Sequence, residues 1–202
     1  MTDGKALKIM HVTRTPVGGI IRHILDLARG QAERGHEVGI VCDSLTGGER
    51  ATAALADIAP QMKLGVWRLA ISREISPTDA IGFIRVARHL TAIGADVLHG
   101  HGAKGGAFTR LMSVKSAIKV YTPHGGSLHY RKHSIRGLVY GNAERFLRRR
   151  TDLFLFESEF ARNTYNAMVG PPRTIVRVVP NGVSAAEMVP VEPTASAAPW
   201  SR

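Results

Sequence analysis

Cysteine is nearly absent, with Cys42 alone in 202 residues. That excludes an internal disulfide framework and a cysteine-based zinc site, and it fits a reducing compartment. Acidic side chains are scarce, with 16 Asp and Glu against 27 Lys and Arg for a net charge of +11. Aromatic residues make up only 6%. No apolar run approaches the ~20 residues of a membrane span. The opening MTDGKALK carries no apolar stretch of signal-peptide length. Missing too are a GxSxG elbow, an HExxH metal motif, a kinase signature and a GxGxxG dinucleotide fingerprint. What remains is a chain 44% hydrophobic, long enough to bury roughly 70% of its unfolded surface without a staple. A cytoplasmic, basic globular protein is expected.

The charge is uneven. Residues 1–100 carry a balance of +2 and residues 101–202 a balance of +9. Arg131, Lys132, Arg136, Arg145, Arg148, Arg149 and Arg150 crowd around the single acid Glu144. Such a field favours an anionic partner: nucleic acid, anionic lipid headgroups or a phosphorylated substrate.

Two hydrophobic periods alternate along the chain. Short β-rich runs lie at Ala6–Thr13, His36–Cys42, Lys63–Ala70, Asp96–His101, Ile118–Pro123, Asp152–Ser158 and Thr174–Val179. Between them fall helical patterns, one beginning at Pro77 and one over about 135–149, with Ser158 as the expected N-cap of the last. Strands alternating with helix-length segments predict an α/β fold: a Rossmann-like, mostly parallel sheet with helices on both faces. Ligands of such sheets bind beyond the C-terminal strand ends. An Ala/Pro/Ser-rich stretch over 185–202 reads as a linker or tail after a domain of residues 1–184.

Three strand-end loops share glycine and histidine chemistry. In Arg14–Gly19, Gly18 and Gly19 open a helix whose free N–H groups attract phosphate; a plain tight turn is the alternative. His99–Gly106 resembles a phosphate loop but lacks the terminal Gly-Lys-Ser/Thr. His99 and His101 share a strand face, yet no carboxylate or cysteine stands beside them, so a metal is disfavoured. A loop donating to an anion, with Lys104 supplying charge, reads better. Tyr121–Gly126 holds His124 between proline and the glycines Gly125 and Gly126, where a neutral imidazole can bond a substrate hydroxyl or move a proton. The basic run His129–Arg150 carries an apolar stripe of Ile135, Leu138, Val139, Ala143, Phe146 and Leu147, as a core-facing helix or a partner surface would. Membrane-surface contact suits it better than nucleic acid, since few aromatics interleave its charges. Glu157 and Glu159, flanking Ser158, read as first-turn helix residues rather than a catalytic pair.

The segments GGIIRHILDLARGQAERGHEV, DVLHGHGAKGG, VYTPHGG, FESEFARNTY and VVPNGV resemble, in this order, the N-terminal half of family 4 glycosyltransferases. The resemblance spans about residues 6–184 and implies one half of a GT-B fold, two Rossmann-like domains across a cleft. It implies transfer of a sugar from a nucleotide-diphosphate sugar to a glycan or lipid-linked acceptor with retention, needing no metal or cofactor. Gly18 and Gly19 would approach the donor diphosphate, and His124 would act beside the donor sugar. His101, Lys104, Gly125 and Gly126 would line the acceptor and sugar side. Arg131, Lys132, Arg145, Arg148, Arg149 and Arg150 would form an anion patch toward an anionic membrane surface. The family's second, C-terminal domain holds most of the nucleotide site. A chain ending at Arg202 is therefore expected to be a truncated product or one subunit of a split enzyme, paired with a separate C-terminal domain chain and with little or no activity alone. The competing expectations are a non-catalytic anion- or membrane-binding Rossmann-like module and a basic nucleic-acid-binding domain.

Overall fold

The computed structural model describes residues 5–72, 78–114, 116–125, 135–183 and 188. Seven strands, β1 (Lys8–Thr13), β2 (Glu37–Asp43), β3 (Val66–Leu69), β4 (Val97–His101), β5 (Ile118–Thr122), β6 (Leu153–Phe156) and β7 (Ile175–Val178), alternate with six helices. These are α1 (Gly18–Glu33), α2 (Gly48–Ile58), α3 (Thr78–Ile93), α4 (Gly102–Leu111), α5 (Ile135–Leu147) and α6 (Glu159–Met168). The strands form one parallel sheet in the order β3-β2-β1-β4-β5-β6-β7. Strand order therefore reverses between β1 and β4, which opens a crevice at their C-terminal ends.

Period-2 alternation sorts the side chains of β1. Met10 and Val12 face Val86, Leu90 and Phe108 of α3 and α4. On β2, Val38, Ile40 and Cys42 pack under α1 and α2 against Ile24, Ala28, Leu55 and Ile58. Burial pushes the Cys42 thiol up to about 11, so it is an inert core residue. A third cluster joins Tyr121, Phe154 and Phe156 to Tyr165 of α6.

The glycines after His99 serve packing. A Cβ at Gly105 would collide with the Val12 carbonyl, at Gly106 with the Tyr121 ring, and at Gly100 with Thr109 Oγ1. Without those carbons α4 lies directly on β1, β4 and β5, and the segment expected as a loop is the end of a strand running into a helix. The helix begins at Gly102, which adopts φ +65° at the turn out of β4, with no neighbour within 4 Å of where a Cβ would lie. The Ser158 N-cap is present, its hydroxyl accepting from the Ala161 amide at 3.1 Å.

The stripe expected on α5 is turned. Gly137, Glu144 and Leu147 are buried, while Leu138, Val139 and Phe146 are about half exposed. The reason is electrostatic. Glu144 accepts two bonds from Arg110, at 2.8 and 2.9 Å, and one from the Tyr121 hydroxyl at 2.9 Å. The Arg110 guanidinium also lies 3.6 Å from the Tyr121 ring centroid. An uncompensated Arg110 inside the core costs more than exposing three apolar side chains. Glu144→Ala, which strands that charge, is expected to lower unfolding free energy by about 3–5 kcal/mol in urea titrations; a loss below about 1 kcal/mol would mean the pair is solvated.

Candidate functional site

The C-terminal ends of β1, β4 and β5 converge on five histidines. Parallel register sets His11 of β1 beside His99 of β4, Thr13 beside His101, and His101 beside Thr122 of β5. His11, His99 and His101 consequently project from one sheet face. His23 comes down from α1, its ring centroid 5.9 Å from His101 and 5.2 Å from His124. His124 occupies the turn after β5 with φ +50°, a left-handed conformation uncommon outside glycine and followed by Gly125 at φ +69°.

Hydrogen bonds order these rings into a chain. Gln31 Oε1 lies 2.8 Å from His11 Nε2, His11 Nδ1 lies 3.0 Å from His101 Nε2, and His101 Nδ1 lies 3.0 Å from His124 Nε2. An amide oxygen only accepts, so His11 carries its proton on Nε2. His11 Nδ1 then accepts from His101 Nε2–H, and His101 Nδ1 accepts from His124 Nε2–H. The network thereby assigns each neutral ring one tautomer and leaves His124 Nδ1 as a lone pair. His99 Nε2 is satisfied separately by the Thr122 hydroxyl at 2.9 Å.

Burial keeps the cluster uncharged. It pushes His11 down to about 4, against the pull of the Gln31 bond, and His124 to about 4, with His23 adding repulsion. His99 and His101 lie well below the ordinary histidine range because they are buried and because each would repel its charged neighbours. His23 is lowered by burial as well, though Asp26 opposes this.

Beside the histidines, α1 begins at Gly18 with φ +66°, and no side chain caps its N-terminus. A Cβ at Gly18 or Gly19 would meet nothing within 4 Å, so the helix end is uncrowded. A cavity of about 720 Å³ opens there, lined by Gly18 and Gly19, by Arg22, Arg29 and Arg50, and by Asp26 and Asp57. A second of about 410 Å³ runs from Gly19 past Arg22 and His23 to Pro180, Asn181 and Gly182. Gly19 and His23 are one helical turn apart, which joins the anion-attracting helix end to the histidines.

Gly18 and Gly19 thus lie about one turn of α1 from His23, whose ring stands against those of His101 and His124, with Gly125 next in the turn after β5. Lys104 lies apart from these residues: its ammonium donates to both Asp79 oxygens, at 2.7 and 2.8 Å, and to the Ser72 carbonyl at 2.7 Å. Gly126, Arg131 and Lys132 lie outside the described residues. Arg145, Arg148, Arg149 and Arg150 stand where the chain enters β6, at the N-terminal edge of the sheet, roughly 20 Å along α5 from the His124 end. Two of them turn back onto the end of α6: Arg145 donates to the Met168 carbonyl, and Arg148 to those of Val169 and Pro171. These bonds cap carbonyls that lack helical partners. Arg149 and Arg150 remain exposed.

His11 and His23 join the site only in the folded chain. His11 had a signal, a polar residue inside the apolar run IMHV. His23 looked like any half-exposed helix residue.

No helix among the described residues is long and apolar enough to cross a membrane. The sequence model of Glycosyltransferase Family 4 matches residues 17–187. No curated protein matches the chain in sequence. Among solved structures, the fold is similar to Anabaena Alr3699/HepE in complex with UDP and glucose, with TM-score 0.63 and 15% identity over 88% of this chain and 45% of that one. It is similar to a glycosyltransferase from Rickettsia africae ESF-5, with TM-score 0.66 and 14% identity over 89% of this chain and 44% of that one. MurG of Acinetobacter baumannii matches with TM-score 0.56 and 12% identity over 88% of this chain and 47% of that one. The chain therefore spans somewhat under half the length of each.

Neutral buried histidines make stability depend on pH. Unfolded, His11 titrates near its ordinary 6.5; folded, it resists protonation down to about 4. Below 6.5 the unfolded chain binds the extra proton, so the stabilisation is complete above 6.5 and drains away as pH falls toward 4. Urea midpoints measured from pH 7.5 to 5 should decline, at about 1.4 kcal/mol per pH unit for each histidine that stays neutral. His11→Gln should flatten the decline, and an unchanged slope would place His11 in solvent.

Proposed function

Because the chain belongs to glycosyltransferase family 4, we propose that it forms the acceptor-side domain of a retaining enzyme. That enzyme moves a sugar from a nucleotide-diphosphate donor to a glycan or lipid-linked acceptor. The observation carrying this reading is the junction of two features. The uncapped, glycine-opened end of α1 lies one turn from a histidine whose ring is 5.2 Å from His124. Amides at a helix end suit a diphosphate, and a neutral imidazole beside them suits sugar hydroxyls. The Anabaena protein of similar fold was solved with UDP and glucose, which supports a nucleotide-sugar donor here.

The roles divide by chemistry. As the glycosidic bond to the diphosphate lengthens, negative charge grows on the leaving oxygens, and the amides of Gly19 and the residue after it donate to them without reorganising. Gly18 keeps that approach clear at φ +66°. His124, its Nε2–H committed to His101, offers Nδ1 as an acceptor for a donor-sugar or acceptor hydroxyl. One face of the donor remains uncovered by this domain, and a second domain is needed to exclude water from the reacting centre.

The test pairs the chain with a GT-B C-terminal domain and follows sugar transfer from UDP-, GDP- and ADP-sugars. Gly18→Val, which crowds the helix end, should raise KM for the donor. His124→Ala should lower kcat about 10²–10³-fold, the usual cost of removing one preorganised hydrogen-bonding group. Absence of turnover with every donor, or full activity in both variants, would sink this reading.

A further inference from the structure

We propose that His23, His101 and His124 form a transition-metal site of the zinc class, three imidazoles with a fourth position open to the crevice. The proposal goes beyond sugar transfer: an ion on His124 Nε2 leaves Nδ1 protonated, so the metal-bound state and acceptance of a sugar hydroxyl at Nδ1 exclude one another.

One ring nitrogen from each of the three residues lies within 4.8 Å of the others. They come from three separate elements: α1, the end of β4 and the turn after β5. Imidazole nitrogens at about 2.0–2.1 Å from a tetrahedral ion lie a little over 3 Å apart, close to the 3.0 Å between His101 Nδ1 and His124 Nε2. Coordination draws the remaining nitrogens in from their present separations, all within 4.8 Å. A donor set of three neutral nitrogens suits zinc, copper or nickel rather than magnesium or calcium, which require oxygen.

The surroundings strengthen the assignment. A metal-bound histidine characteristically donates its other N–H to an acceptor that fixes its tautomer and orientation. His101 does this: Nε2–H donates to His11 Nδ1, and His11 is itself held by Gln31. His101 Nδ1 is therefore unprotonated, its lone pair accepting from His124 Nε2–H until an ion takes the place of that proton. When an ion binds, His124 shifts its proton from Nε2 to Nδ1, and no electron changes hands.

A second trio, His11, His99 and His101, also has ligand atoms within 4.8 Å. Its members are only 0%, 3% and 1% exposed, which leaves neither an entry path nor a free coordination position. The outer trio differs, because His23 lines the cavity of about 410 Å³ that continues to Asn181 and Gly182. Water or an anionic oxygen completes the tetrahedron from that side.

The experiment titrates untagged, metal-stripped full chain with zinc by calorimetry and with cobalt by visible absorption. One ion per chain is expected, with the intense d–d bands of tetrahedral cobalt and a zinc-dependent rise in Tm. His23→Gln and His124→Gln should each abolish the bands. His11→Gln should weaken zinc about 10–100-fold, as loss of an outer hydrogen bond does. His36→Ala and His89→Ala should leave binding unchanged. Far-UV circular dichroism of the metal-free variants establishes that each is folded; should His23→Gln unfold, His23→Asn takes its place. No ion bound by the wild-type chain, or equal binding by folded His23 and His124 variants, would overturn the site.

Discussion

The parallel register of β1, β4 and β5 is the constraint on which the site rests. It pairs His11 with His99 and His101 with Thr122, and since side chains alternate along a strand, a one-residue slip would turn every imidazole to the opposite face. Glycines hold that register close. Gly100, Gly105 and Gly106 let α4 settle onto β1, β4 and β5, where any Cβ would strike backbone or ring atoms. The same contact buries Arg110, whose partner Glu144 draws α5 into place. Packing on one sheet face therefore fixes chemistry on the other.

That chemistry is shaped by dehydration. Five imidazoles so close together would repel strongly if charged, and burial makes the charged form costlier still. The cluster resolves this by remaining neutral and sharing protons in one direction, from His124 through His101 and His11 to Gln31. Positive charge in the crevice comes instead from arginines, such as Arg22, and from the N-terminal dipole of α1. An anion thus meets hydrogen-bond donors and guanidinium groups, though Asp26 and Asp57 line the same cavities and pair with Arg22 and Arg29.

Much of this could be read along the chain. Alternating periods placed all seven strands to within a few residues, and the Gly18-Gly19 helix end and the turn of His124 stand out as strand-end chemistry. Two readings went differently for one reason: sequence does not state a residue's partner. Lys104 looked like a free charge in a glycine loop, whereas its carboxylate, Asp79, lies twenty-five residues earlier on α3. Glu144 looked like a lone acid in a basic run, whereas Arg110 pulls it inside. The arginines after α5 follow His124 in sequence, yet a helix carries the chain to the opposite edge of the sheet before they occur.

The sequence by itself determined the α/β class, the parallel sheet, the family resemblance and the strand ends that carry chemistry, because these depend on local period and turn residues. Tertiary structure alone decided that His11 and His23 belong with His101 and His124, and which nitrogen of His11, His101 and His124 bears a proton. Those outcomes depend on register between distant strands and on the withdrawal of water. Neither is encoded in any short stretch of residues.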